Sequence, residues 1–136
     1  MALDVRGIVK NWINTRTDLV GHGKPVSRGA FLKLQRAQGT YLYVTVVGTP
    51  PDLTAETPVA RARVSVIAYG STMLASSNAA VAYATVLESL TGKPEKMGDY
   101  RCLVVDNLSL PLPLDDHLTD REEFRHQVDA DFWITT

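Results

Sequence analysis

The chain has 136 residues, a formal net charge of −1 and 45% hydrophobic residues, an ordinary globular composition with room for one core. No apolar run approaches the ~20 residues of a membrane span, and the opening Met1-Ala2-Leu3-Asp4-Val5-Arg6 lacks signal-peptide character. Cys102 is the single cysteine, which excludes an intrachain disulfide and fits a reducing compartment.

The small net charge hides an asymmetry. Residues 1–51 hold seven Lys/Arg and two Asp/Glu, whereas residues 111–136 hold two and seven. Such ends attract each other within one fold, or head to tail between copies. Neither is basic enough for tight nucleic-acid binding.

In chain order, Val5, Ile8, Val9, Trp12 and Ile13 recur at helical spacing behind Asp4, a candidate N-cap, and predict a helix ending near Arg16. Gly21, Gly23, Pro25 and Gly29 mark a loop. Ala30 to Gln35 reads as a short strand and Arg36 to Gly39 as a turn. Tyr41 to Val47 reads as a stronger strand, apolar on both faces and so central or covered on both sides. Thr49 to Pro58 is an extended loop carrying Pro50 and Pro51. Arg61 to Ala68 alternates as a strand, Gly70 breaks it, and Ser71 or Thr72 caps an Ala-rich helix from Met73 to Leu90.

One side of that helix is broadly apolar. The other, with Leu74, Asn78, Val81, Thr85 and Glu88, carries a single charge and is expected to be half covered, by the first helix or by a neighbouring copy. Arg101 to Leu108 reads as a strand. Leu108, Leu110, Leu112 and Leu114 alternate with Ser109, Pro111 and Pro113, and two prolines leave only an edge or a polyproline-like arm. Glu123 to Thr135 reads as the last strand, with Phe124, Val128, Ala130, Phe132 and Ile134 facing inward. The fold expected is α+β over residues 1–136 as a single domain. It has a mainly antiparallel sheet with two helices packed on one side, in the order helix, strands, helix, strands, with two strands at the end.

No catalytic constellation emerges, and the chain reads as a non-enzyme. Asp115, Asp116, His117 and Asp120 match no metal loop. His22-Gly23-Lys24 lacks phosphate-loop spacing. His126 falls on an inward strand face, where a hydrogen-bonded core histidine is the ordinary role, and its meeting with Cys102 across a hairpin would still lack an oxyanion site. No metal or cofactor is expected. Trp133, outward on a polar face, packs under a helix or anchors an interface, where Trp is enriched.

As a set, three stretches resemble the tail terminator (tail completion) proteins of long-tailed bacteriophages, especially those of actinobacteria: Arg61 to Gly70 running into Ala79-Ala80-Val81-Ala82-Tyr83-Ala84, then Cys102 to Asn107, then Val128 to Phe132. The resemblance covers most of the chain, least at Val20 to Gln38. It implies a structural virion protein at the head-proximal end of the tail, made in the host bacterial cytoplasm. There a homohexameric ring ends tail-tube growth and docks to the head-tail connector or neck proteins. Partners are then other copies of the chain, the tail-tube protein, the neck protein, and genomic DNA passing through the lumen without specific binding; no membrane is involved. The alternatives are another neck or head-completion ring protein, or a small ligand-binding α+β domain. On the ring reading, Pro50, Pro51, Leu53, Leu110, Leu112, Leu114 and Trp133 are candidate interface residues, and Asp52 and Glu56 candidate lumen residues. A neutral or acidic lining lets DNA slide where Lys and Arg would hold its phosphates.

Overall fold

A computed structural model describes residues 3–20, 27–35, 39–48, 53–56, 58–90, 92–114 and 123–136. Helix α1 (Val5–Thr15) starts where the Asp4 carboxylate accepts from the Gly7 N–H at 3.1 Å. Strands β1 (Ala30–Phe31), β2 (Tyr41–Val47) and β3 (Val59–Gly70) follow. Thr72 then caps helix α2 (Met73–Ser89) through the Ala75 N–H at 3.0 Å. Strands β4 (Glu95–Met97), β5 (Tyr100–Asp106), β6 (Leu112–Leu114) and β7 (Phe124–Thr135) complete the described fold.

The strands form one sheet in the order β1-β2-β3-β7-β5-β4, with β6 also on β7. The expected mainly antiparallel sheet is corrected: it is mixed, because β1 runs parallel to β2. The expected order, two or three strands before α2 and two after it, is corrected too: among the described residues three precede it and four follow. The physical reason for the parallel pair lies in α1. The Asn14 carboxamide bonds both the N–H and the C=O of Ala30, at 2.8 and 3.1 Å, as a neighbouring strand would. Arg6 then reaches the carbonyls of Leu32 and Val44, at 2.7 and 3.2 Å. The helix thus closes this edge with side chains, and only two residues of the predicted Ala30–Gln35 strand pair. β2, expected to be central or covered on both sides, lies between β1 and β3, one strand in from the edge.

β7 is the spine. β3 pairs with it along twelve residues, from Val59↔Thr135 to Gly70↔Phe124. On its other side β5 covers the far half and β6 the near half. Ser109 stitches the gap between them, donating its N–H to the Asp129 carbonyl and accepting the Asp129 N–H at its hydroxyl, both at 2.8 Å. Pro113 stands opposite His126. Having no N–H, it leaves the ladder to Leu112 and Leu114, and its blank nitrogen points to the open edge.

The core fills one face of the sheet. Val44, Val64, Val66, Ala68, Val128, Ala130 and Phe132 meet Val9, Trp12 and Ile13 of α1 and Ala79, Ala80, Tyr83 and Leu87 of α2. Trp12 packs edge-on to Phe132 with ring centroids 6.5 Å apart, and Ser76 of α2 bonds His126 on the same face of β7. β3 ends at Gly70, as its sequence suggests, and a Cβ there would lie 2.7 Å from the Ser76 nitrogen, so the close start of α2 requires glycine.

Candidate interaction surface

The sheet face without the core is polar and aromatic. At one end, Tyr41 and Tyr69 are register partners whose rings stack at 4.9 Å. Phe31 meets Tyr41 edge-on, and the Arg28 guanidinium lies over both rings. At the other end sits Asp131, only 3% exposed. Arg61 and Arg63 pair with it at 2.6 and 3.1 Å, and the Asn107 amide donates to it at 2.7 Å. Asn107 holds a left-handed backbone, φ 51°, which asparagine tolerates better than most residues. Burial pushes the Asp131 carboxyl up, but the bonds from Asn107, Arg61 and Arg63 outweigh it and hold it below the usual carboxylate range. Trp133 belongs to the same cluster. Arg61 stacks over its ring at 5.4 Å and its Nε1–H donates to Asp106 at 3.1 Å. Among the described residues it packs under no helix, since α1 and α2 lie on the opposite face.

The outer stripe of α2 leaves apolar side chains in solvent. Leu74 is 70% exposed and Val81 half exposed, with Asn78, Thr85 and Glu88 alongside them. The first helix does not cover it; α1 packs on β1 to β4. Met73, placed by the pattern on the apolar side of the helix, is also exposed, as is Phe124, which pairs with Gly70 just before α2 begins. On β6, Leu112, 58% exposed, shares the sheet face of its partner Gln127, away from the helices, and Leu110 ahead of it is 77% exposed. Exposed large apolar side chains thus stand on both sides of the sheet, along α2 and at β6, and such exposure is a mark of interaction surfaces.

The other sequence candidates spread out. Leu114 is half-buried against Arg125. Leu53 packs half-buried onto the chain's own core, and Glu56 is exposed. Pro50, Pro51 and Asp52, like the Asp115–Glu122 stretch, lie outside the described residues. The missed elements are β4 and the Asp131 cluster. A hairpin signal, Gly98-Asp99 between Met97 and Tyr100, was present for the first. The second needed the strand register.

The reactive-looking groups are held apart. Cys102 faces Ile134, eight residues along β7 from His126, roughly 27 Å at strand spacing. Burial pushes its thiol up to about 11. His126 is a hydrogen-bonded core histidine. Among the described residues no group of three His, Cys, Asp or Glu is placed to hold a metal, and no helix is long and apolar enough to cross a membrane. A groove of about 360 Å³ runs between α1 and the β4–β5 turn, lined by Asn11, Trp12, Thr15, Lys96, Asp99 and Tyr100 among others. No protein-family model matches the chain, and no curated protein matches it significantly.

Proposed function

We propose that this chain is a structural ring protein of a phage tail. It would sit at the head-proximal end, end tube growth and dock to the neck. The sequence resemblance to tail terminators motivates the reading. The observation that supports it is the exposure of large apolar side chains on two elements, Met73, Leu74 and Val81 on α2 and Leu110 and Leu112 at β6, which a solitary domain would tend to cover or replace with charge. A ring of identical chains uses heterologous contacts that close on themselves, each copy offering two different surfaces. DNA passing through the ring would meet the acidic side chains of the loop containing Asp52 and Glu56 and slide.

The test is the native mass of the purified chain, alone and mixed with tail-tube protein, together with images of the mixture. A hexamer of 14.9 kDa chains capping tube ends supports the reading. A chain that stays monomeric both alone and with tail-tube protein, and leaves tube growth unchanged, overturns it. Labelled duplex DNA at moderate salt should bind only weakly, and sub-micromolar binding would contradict a sliding passage.

A further inference from the structure

We infer that the open edge of β4, beside α1, binds an extended peptide of alternating apolar and acidic residues by strand addition. This site is independent of the ring; nothing in it calls on other copies of the chain or on tail-tube protein.

The two ends of the sheet are finished differently. At β1, Asn14 of α1 bonds both backbone groups of Ala30 and closes the edge. At the other end β4 pairs with β5, and among the described residues no strand lies on its outer side. Gly98 and Asp99 join β4 to β5 as a two-residue turn, with Gly98 at φ 66°. The residues flanking such a turn form a hydrogen-bonded pair, and the next pair does not. Met97 and Tyr100 flank this one, so Lys96, opposite Arg101, turns its N–H and C=O outward. The groove of about 360 Å³ lies between this edge and α1. The 11 residues of α1 span roughly 16 Å, the reach of about five extended residues. An open strand edge is where a sheet accepts an added strand, and pockets beside it select the side chains.

The side chains define the occupant. Met97 and Tyr100 share the face that packs on the core, and Ile8 and Trp12 of α1 line the groove with them. Lys96 and Arg101 share the opposite face, both exposed, and exposed Lys93 stands just ahead of β4. Of the nearby carboxylates, Glu95 is held by Arg16 at 3.3 Å and Asp4 caps α1, while Asp99 is exposed on the turn. The edge is therefore apolar toward α1 and basic on the side away from it. A strand laid along it alternates in the same way. Its apolar residues meet Ile8, Trp12 and Tyr100, and its acidic residues lie beside Lys96 and Arg101. Two copies of this edge would bring lysine against lysine, which keeps the chain from pairing with itself here.

The probe is a capped peptide of about six residues, alternating valine and glutamate, titrated into isotope-labelled protein and followed by amide spectra. It should shift the Lys96 amide, the α1 amides and the Trp12 indole, and leave β6 and the outer side of α2 unmoved. Methylating the peptide's backbone nitrogens should abolish these shifts, and this arm uses the wild-type protein. Exchanging the peptide's glutamates for lysines, or making Lys96→Glu in the protein, should weaken binding at least several-fold, and added salt should weaken it too. Lys96 is exposed, and circular dichroism checks that the variant folds. No shift at Lys96 up to millimolar peptide overturns the inference. Equal binding by the methylated peptide rules out strand addition, and equal binding by the valine–lysine peptide rules out an acidic partner; either result overturns it. Duplex DNA that binds more tightly than the peptide at moderate salt, shifting Lys93 and Arg101 but not α1, would make the edge a phosphate surface and overturn it as well.

Discussion

Ser76 Oγ and His126 Nδ1 lie 2.7 Å apart beneath the first turns of α2, and the bond has one direction. The serine hydroxyl has a single proton and donates it to the Ala68 carbonyl at 2.8 Å. The histidine must therefore donate, which fixes its proton on Nδ1. Ser76→Ala leaves that N–H buried without its partner and should cost about 1–3 kcal/mol. The double variant Ser76→Ala/His126→Leu should cost less than the two single changes added together. Urea unfolding of the four proteins measures this; strict additivity would show that the pair is not coupled.

The junction between β3 and α2 depends on a missing side chain. Gly70→Ala puts a methyl group 2.7 Å from the Ser76 backbone nitrogen. Backbone cannot swing aside as a side chain can, so the helix start must lift from the strand. A loss of about 1–3 kcal/mol is expected, with weaker amide-exchange protection in the first turns of α2. Wild-type protection at Ala79 and Ala80 would show that the junction absorbs the methyl group.

Asp131 gives stability a dependence on pH. Its carboxyl lies below its ordinary 3.8 because hydrogen bonds from Asn107, Arg61 and Arg63 outweigh the opposing effect of burial. A lowered folded value means that the unfolded chain takes up the proton first. The contribution is therefore complete above the ordinary value and is lost as pH falls through the folded one. Below about pH 4 the wild type should lose stability more steeply than Asp131→Asn. At pH 7 Asp131→Ala should cost about 2 kcal/mol. Asn107→Gly, which keeps the backbone conformation but removes the amide, should cost less than Asn107→Ala. Thermal melts between pH 2.5 and 7 read all of this, and parallel curves for wild type and Asp131→Asn would refute it.

Cys102 should report unfolding. With its thiol held near 11 by burial, roughly one molecule in a thousand carries the thiolate at pH 8. Maleimide labelling should follow the unfolded fraction across a urea titration. Labelling in minutes without denaturant would show that the strand pair β5–β7 opens locally.

The parts of this fold legible in the sequence are those fixed by local pattern. Tyr41 to Val47 is a run of β-branched and aromatic residues and pairs over its whole length. Asp4 and Thr72 sit one residue ahead of their helices and cap them as expected. The parallel β1 was not legible, because its outer neighbour is the Asn14 side chain of a helix and no periodicity records that. Asp131, Arg61 and Arg63 read as outward strand residues, which is true of their face. Their convergence follows from the register Arg63↔Asp131, set by pairing between segments far apart in sequence. On the functional side, the exposed Leu110 and Leu112 were picked out by their prolines. The charge-poor stripe of α2 was expected to be half covered, but the first helix packs elsewhere and leaves Leu74 and Val81 in solvent.

The long central strand also shapes how the protein is made. β7 comes later in the chain than every strand it joins, yet β3 lies against it for twelve residues. While the ribosome is still working toward it, β3 has only β2 at its side, and its other edge and the underside of α2 have nothing to close on. Those contacts are remote in sequence, so folding should be slow for a domain of this size. During that wait the open edge of β3 is the place where two nascent chains would stick. High expression temperature should therefore harm yield more than it harms the folded protein.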